Sequence, residues 1–378
     1  MEGYGKGGHN AGTPGRSIRA DSTAALGPPP VRRPEGAVEK QSEETMKKHS
    51  AASPLRRTLL LGSAAMAASA LLPRAARAAG FPDRPITFIC PWAVGGTADQ
   101  SMRVLCQAAG KALNQTIVVE NRAGASGMIG AKAIAAAKPD GYTIGQIPIS
   151  VTRFAQLNML SADPRTDFTY IARTSGQTFG IVVKANSRFK TLADMVAYAK
   201  RNPGLVSYGH AGVGGATHVG MEQFAIAAGI KLNAIAYKGG APALQDLLGG
   251  QIDLLADSSS WAPQVQAGNL RLLATWGERR PPRFRDSPTL KDLGYDVVVD
   301  APNGVGAPKG LDPAVDKILR DAFRQAVASD DFRKITDTID APIMYLDGPD
   351  YQRYVSQVYD QETQLIARLK LKALLQQG

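Results

Sequence analysis

Cysteine and histidine are both scarce in this chain. Its 378 residues include two cysteines, Cys90 and Cys106, and four histidines, of which only His210 and His218 fall beyond residue 78. Two thiols cannot build a disulfide framework or a four-cysteine zinc site, so no metal and no cofactor is expected. Cys90 and Cys106 read as core thiols, with pairing open in an oxidising compartment. A hydrolase is disfavoured, because no G-x-S-x-G elbow accompanies the two histidines. A concentrated basic surface is missing too. The formal charge is +11, but +6 of it lies in residues 1–78 and the remaining +5 is spread over 300 residues. Nucleic acid is therefore not an expected partner. Hydrophobic residues make up 44% of the chain, enough for a full core and against disorder over most of the length.

Nor is there an apolar run long enough to span a bilayer, which takes about 20 residues. Residues 1–45 are rich in Gly, Pro, Ser and charge and read as a disordered or mis-started leader, since Met46 is itself a plausible start. Residues 46–78 read as a cleaved export signal. Lys47, Lys48, Arg56 and Arg57 precede the apolar stretch Thr58 to Leu72, and Ala76-Arg77-Ala78 has the form that a signal peptidase cuts. Arg56-Arg57 resembles a twin-arginine signal, although paired arginines also occur in ordinary leaders. The mature protein is expected in the periplasm.

Beyond the signal, strands alternate with helices, which implies parallel β-α-β units. Strands are expected at 85–90, 116–120 and 142–147, with helices at 98–113 and 128–137 between them. The same order returns with strands at 205–208, 234–237 and 252–256 and helices at 216–228 and 243–248. Phe179 to Val183 reads as a crossover. Asp312-Pro313 marks a helix start, and residues 349–375 read as a helical tail. The fold class is α/β, a two-lobed clamp of the periplasmic-binding-protein kind hinged on two crossover strands. Residues 79–180 and 303–378 are assigned to lobe 1 and residues 181–302 to lobe 2, with the ligand between them.

A glycine-rich turn precedes a helix at four places: Ala93 to Thr97, Asn121 to Gly127, Gly209 to Gly215 and Lys238 to Pro242. Free N–H groups and the dipole of a helix start make an anion site, and these loops lie at strand C-terminal ends, where ligands bind in open α/β sheets. Any one of them taken alone reads more readily as a plain tight turn; their recurrence in two lobes favours binding. The candidate contacts are Trp92, Ala93, Gly95, Gly96, Thr97, Asp99, Ser126, Gly127, Ser150, Thr152, His210, Gly212, Gly214, Thr217, His218, Tyr237 and Asp257. Trp92 suits a pocket wall or the core. Asp99 suits loop support more than anion contact, because like charges repel. Ser150 and Thr152 supply hydroxyls after the third strand, and Asp257 holds the equivalent place in the other lobe. His218 suits helix packing, and His210 either meets the ligand or faces solvent.

These residues carry a resemblance. Phe81 to Ile86 followed by Pro91-Trp92-Ala93-Val94-Gly95-Gly96-Thr97-Ala98-Asp99 resembles the opening of the extracytoplasmic receptors of tripartite tricarboxylate transporters, the TctC or Bug type. Glu120 to Gly127, Lys138 to Thr143, Tyr208 to His218, Tyr237-Lys238-Gly239, Leu248 to Asp253 and Ser287 to Leu290 follow in the family's order. The resemblance implies a periplasmic two-lobed clamp that takes a small organic carboxylate, amino acid or aromatic acid and serves membrane permease subunits; the protein is expected to be a monomer and not an enzyme. It also implies a carboxylate held largely by backbone amides and ordered waters. The chain departs from the family at His210 and Gly215, which stand where serines are usual, at Pro302, which stands for an aromatic residue, and at Ala234 to Ala236 before Tyr237. The rival readings are the same clamp serving a signalling partner, and a Rossmann-like dinucleotide enzyme. The latter lacks G-x-G-x-x-G, since the first loop reads Ala93-Val94-Gly95-Gly96-Thr97-Ala98.

Overall fold

A strand buried on both faces needs an uninterrupted apolar run, and Ile86, Phe88, Ile89 and Cys90 of β1 (Ile86–Cys90) are fully buried. A computed structural model describes residues 80–375. The leader and export signal expected over 1–78 lie outside them. From β1 the chain turns through glycines into α1 (Thr97–Leu113), then β2 (Ile117–Asn121), a 3-10 turn (Ala125–Gly127), α2 (Met128–Ala135) and β3 (Thr143–Gln146). The short α3 (Val151–Gln156) leads to β4 (Phe168–Ser175). β1 pairs in parallel with β2 and β3, as Phe88↔Val119 and Phe88↔Ile144 show.

After residues 176–178 the chain enters a second sheet at β5 (Phe179–Lys184). The stretch expected as a crossover is thus itself a strand of that sheet, antiparallel to two neighbours, and the crossing is made just before it. α4 (Leu192–Arg201) follows, closed by a capping box between Thr191 and Asp194. Then come β6 (Ser207–His210), α5 (Ala216–Ala228), β7 (Asn233–Ala236), α6 (Gly240–Gly249), β8 (Leu254–Ser258), a 3-10 turn (Ser259–Trp261), α7 (Ala262–Gln266) and β9 (Leu270–Thr275).

Residues 276–302 return the chain to the first sheet as β10 (Asn303–Pro308), followed by α8 (Pro313–Val327), α9 (Asp330–Thr338), β11 (Ile343–Asp347), α10 (Gly348–Arg368) and α11 (Leu371–Leu374). Asp312 caps α8 by accepting from Ala314 N at 2.9 Å, as its sequence signature implies.

The first sheet has the order β11-β4-β10-β3-β1-β2 and the second β7-β6-β8-β5-β9. The plans match. In each sheet the parallel strands run second, first, third, and an antiparallel strand delivered from the other lobe lies beside the third. Each crossover therefore ends next to the strand whose C-terminal end faces the cleft.

The C-terminal helix ties the lobes together. Tyr351 of α10 packs edge-on against Tyr170 of β4, with ring centroids 5.0 Å apart. One face further along, Glu362 accepts from both Nε (2.8 Å) and Nη2 (2.5 Å) of Arg153 on α3. Arg153 Nη1 then donates to Gly214 O of the second lobe at 2.7 Å. Beyond α10, Leu369 and Leu371 pack on Val219 of α5. A buried ion pair adds little net stability over an apolar substitute, but losing one partner leaves a charge stranded. Glu362→Ala should lower unfolding stability by about 3–5 kcal/mol. Urea denaturation checks this, and a loss under about 1 kcal/mol would mean the pair behaves as a surface one.

Candidate functional site

Two helices begin in the same way at facing ends of the sheets. α1 has Gly96 as its N-cap, extended at φ −71°, ψ 165°, and α5 has Gly215 at φ −72°, ψ 171°. Neither cap carries a side-chain oxygen, so the opening N–H groups of each helix lack the usual acceptor. Both starts line one narrow cavity of about 60 Å³, through Ala93, Gly96, Thr97 and Ala98 from one lobe and Ala211, Gly215, Ala216 and Thr217 from the other. Gln146, Pro148, Ile149 and Ser150 add the wall after β3. Gln177 enters from the first crossover and Phe179 from the start of β5, and Ala301 and Pro302 enter from the second crossover. Trp92, Gly240, Asp257 and Ser258 complete the lining. No Lys, Arg or His is among these lining residues.

The loops are braced from behind, and the brace explains where several sequence candidates go. Asp99, 2% exposed, accepts from Gly95 N at 2.9 Å and from Asn121 Nδ2 at 2.7 Å, and pairs with Arg103 at 2.9 Å. The amide of Gly95 and the carboxylate of Asp99 satisfy each other, which is the loop support that the sequence favours for Asp99.

In the second lobe Gly212 N donates to His210 Nδ1 at 3.2 Å, and Gly214 N donates to His218 Nδ1 at 3.1 Å. The two imidazoles stack with centroids 4.5 Å apart. Neither ring lines the cavity, and the amides of Gly212 and Gly214 are engaged by the two imidazoles. His210 does the acceptor's work that a hydroxyl could do at that place. Thr217 Oγ1 accepts from Ala211 N at 3.0 Å and remains at the cavity.

Three further candidates are spent on the protein itself. Ser126 Oγ donates to Val213 O at 2.5 Å, joining the lobes beside the cleft. A side chain on Gly212 (φ +133°) would put Cβ 2.6 Å from that hydroxyl, so glycine is required there on both counts. Thr152 Oγ1 donates to Ile149 O at 2.7 Å, and Tyr237 OH donates to Asp246 Oδ2 at 2.6 Å. Gly127 backs Trp92 and Pro148 without reaching the cavity. The structure brings Trp92, Ala93, Gly96, Thr97, Ser150, Thr217 and Asp257 together in the lining.

Around this cavity some polar atoms are buried without a hydrogen-bond partner among the described residues: Trp92 Nε1, Thr97 Oγ1 and Gln146 Oε1. Gln146 was missed from sequence. Its Nε2 donates to Asn303 Oδ1 at 2.8 Å, Gln177 Nε2 donates to the same oxygen at 3.2 Å, and Asn303 Nδ2 donates to Ser175 Oγ at 3.1 Å. That chain of donors fixes the amide with its oxygen left over. The one available signal was a glutamine closing an apolar strand at a cleft end. Cys90 and Cys106 are free, buried thiols, and burial pushes Cys90 up to about 12.

A family model described as "Tripartite tricarboxylate transporter family receptor" matches residues 101–371. The chain belongs to this family. It is one of periplasmic solute-binding proteins. The chain is similar to a Cupriavidus necator protein described as "UPF0065 protein in gbd 5'region", 39% identical over 314 residues that cover 83% of this chain and 94% of the relative. Among solved structures it is similar to the periplasmic binding protein BugD, with TM-score 0.74 and 30% identity over 77% of this chain and 99% of that one. A Rhodopseudomonas palustris protein solved with adipate matches with TM-score 0.72 and 27% identity, covering 77% of this chain and 98% of its own. The two-sheet clamp is the fold they share.

Burial, and then the neighbouring imidazole, push His210 from the ordinary 6.5 down to about 3; burial and the Arg153 charge push His218 down to about 4. Both rings are therefore neutral, protonated on Nε2. Long-range proton–nitrogen NMR should show two such tautomers unchanged between about pH 5 and 8, whereas a midpoint near 6.5 would contradict the brace. The unfolded chain takes up these protons first, so the pair removes stability as pH falls from about 6.5 toward 4.

Proposed function

We propose that this protein is a periplasmic receptor that captures a small carboxylate between its lobes and presents it to the membrane subunits of a tripartite tricarboxylate-type transporter. Exported by the signal read at 46–78, it works as a monomer without cofactor. The observation that carries the reading is the pair of glycine-capped helix starts, α1 and α5, opening on one cavity. Free helix amides bind a carboxylate through their dipoles and donors, and they need no cationic side chain to do so. Thr97 Oγ1 and Trp92 Nε1 are further donors in the same wall. Ser150 and Thr217 supply hydroxyls at its edges. The adipate in the R. palustris relative supports the same ligand class for this chain.

A clamp reading also requires that closure be weak enough to reverse. Contacts between the lobes include single hydrogen bonds from Ser126 to Val213 O, from Arg153 to Gly214 O and from Ser259 to Ile339 O, each worth about 1 kcal/mol or, for the charged donor, about 1.5–3 kcal/mol net. Ligand contacts of the same size are enough to shift an equilibrium so balanced.

Calorimetric titration with mono- and dicarboxylates tests the proposal. At least one should bind without turnover, and Thr97→Val should weaken it roughly tenfold, the cost of one hydrogen bond to a charged group. Because Thr97 Oγ1 has no internal partner, the same variant should leave thermal stability unchanged or slightly raised. Unchanged affinity in the variant, or no binding across the panel, would contradict the reading.

A further inference from the structure

The helix starts account for one end of a ligand only. The same lining also contributes two acceptors, one of them without a partner. Gln146 Oε1 is buried without a partner. Asp257, 3% exposed at the end of β8, accepts from Ser260 Oγ at 2.7 Å. The backbone of Gly240 lies so close that a Cβ there would overlap the carboxylate, so the start of α6 is already faced by the protein's own anion rather than left for the ligand's. The two acceptors come from corresponding places, the ends of the third parallel strand in each lobe.

A buried carboxylate is costly unless a cation or several donors answer it. Among the described residues, Asp257 is the only titratable side chain in the cavity lining. On the elements packed around it, His210 of β6 is neutral, Asp246 of α6 is engaged by Tyr237, and Lys184 at the far end of β5 and Lys238 before α6 do not line the cavity. Burial pushes Asp257 up to about 7, against the opposing hydrogen bonds from Ser260 and Ser258. Serine hydroxyls answer this group but no protein cation does from within the lining, so a cation at Asp257 would have to come with the solute.

We infer that the solute is an amino carboxylate, its carboxylate held by the starts of α1 and α5 and its ammonium by Asp257 and Gln146 Oε1, with Asp257 the residue that selects it. An ammonium carries the several N–H donors that two separate acceptors require. A hydroxyl has one. An unsubstituted dicarboxylate has none, and would set a second negative charge against Asp257 unless that residue took up a proton. The inference rests on the carboxylate reading above, and the two solute classes give opposite pH dependences. Ammonium binding strengthens as Asp257 ionises, while binding of a second carboxylate weakens.

Calorimetry on the leader-free protein at about pH 6 and about pH 8 tests it with matched pairs: L-aspartate and succinate, L-glutamate and glutarate, 4-aminobutyrate and butyrate. The amino member of at least one pair should bind roughly tenfold or more tighter than its partner. Its affinity should rise with pH, and Asp257→Asn should abolish both effects. Because that substitution also alters the Ser260 contact, the pH profile of the unaltered protein stands as an independent readout. Equal or tighter binding by the unsubstituted member of every pair, or amino-acid affinity that falls with pH, overturns the role of Asp257 and leaves carboxylate capture standing. Silence from both members of every pair overturns capture itself.

Discussion

An α-helix capped by glycine in extended conformation starts with backbone donors that no side chain satisfies. In this protein two such starts, at Gly96 and Gly215, open on one cavity from separate sheets. The surrounding polar structure works to hold them there. Asp99 braces the first loop from behind, and the stacked His210 and His218 brace the second. Because those supports engage the amides of Gly95, Gly212 and Gly214, what remains for a ligand is a narrower set of donors than the glycine content suggests. Preorganised donors cost no further ordering when an anion arrives, and this is how a modest number of backbone contacts can yield useful affinity.

The duplicated sheet plan positions these starts. Each lobe places its first and third parallel strands side by side, with an antiparallel strand from the other lobe next in line. The crossovers thus pass beside the cleft, and Gln177 from one, with Phe179 just beyond it, and Ala301 and Pro302 from the other form part of its wall. A change in lobe angle must move these wall residues, which couples what occupies the cavity to the hinge. The C-terminal helices add a second tie through Glu362, Arg153 and Gly214 O, and through Leu369 and Leu371 against Val219. None of these residues lines the cavity, so they bias closure without touching a solute.

Much of the architecture was legible because buried parallel strands write themselves as apolar runs, and because glycine marks where they turn into helices. The helix at 216–228 has glycine at both borders, and its bounds coincide with those read from sequence. α4 carried a readable capping signature at Thr191 and Asp194 that went unused. β5 was misplaced because an extended crossover and a central strand share one composition, and only pairing partners tell them apart. At the site, sequence identified the loops but not how each polar group is spent. Whether Ser126 faces a ligand or Val213 O, and whether His210 meets solvent or an amide, depends on neighbours 87 and two residues away. Gln146 was invisible for the same reason, since its free oxygen is fixed by Asn303, 157 residues on.

The central claim is that an anionic ligand is gripped by two helix starts and by little else of the glycine loops. Backbone amide shifts in an NMR titration with adipate or another bound carboxylate test it most directly. The amides of Thr97, Ala98, Ala216 and Thr217 should move strongly and saturate together, while those of Gly95, Gly212 and Gly214 stay near their starting positions. The reverse pattern, with the three braced glycines moving and the helix starts silent, would contradict the account.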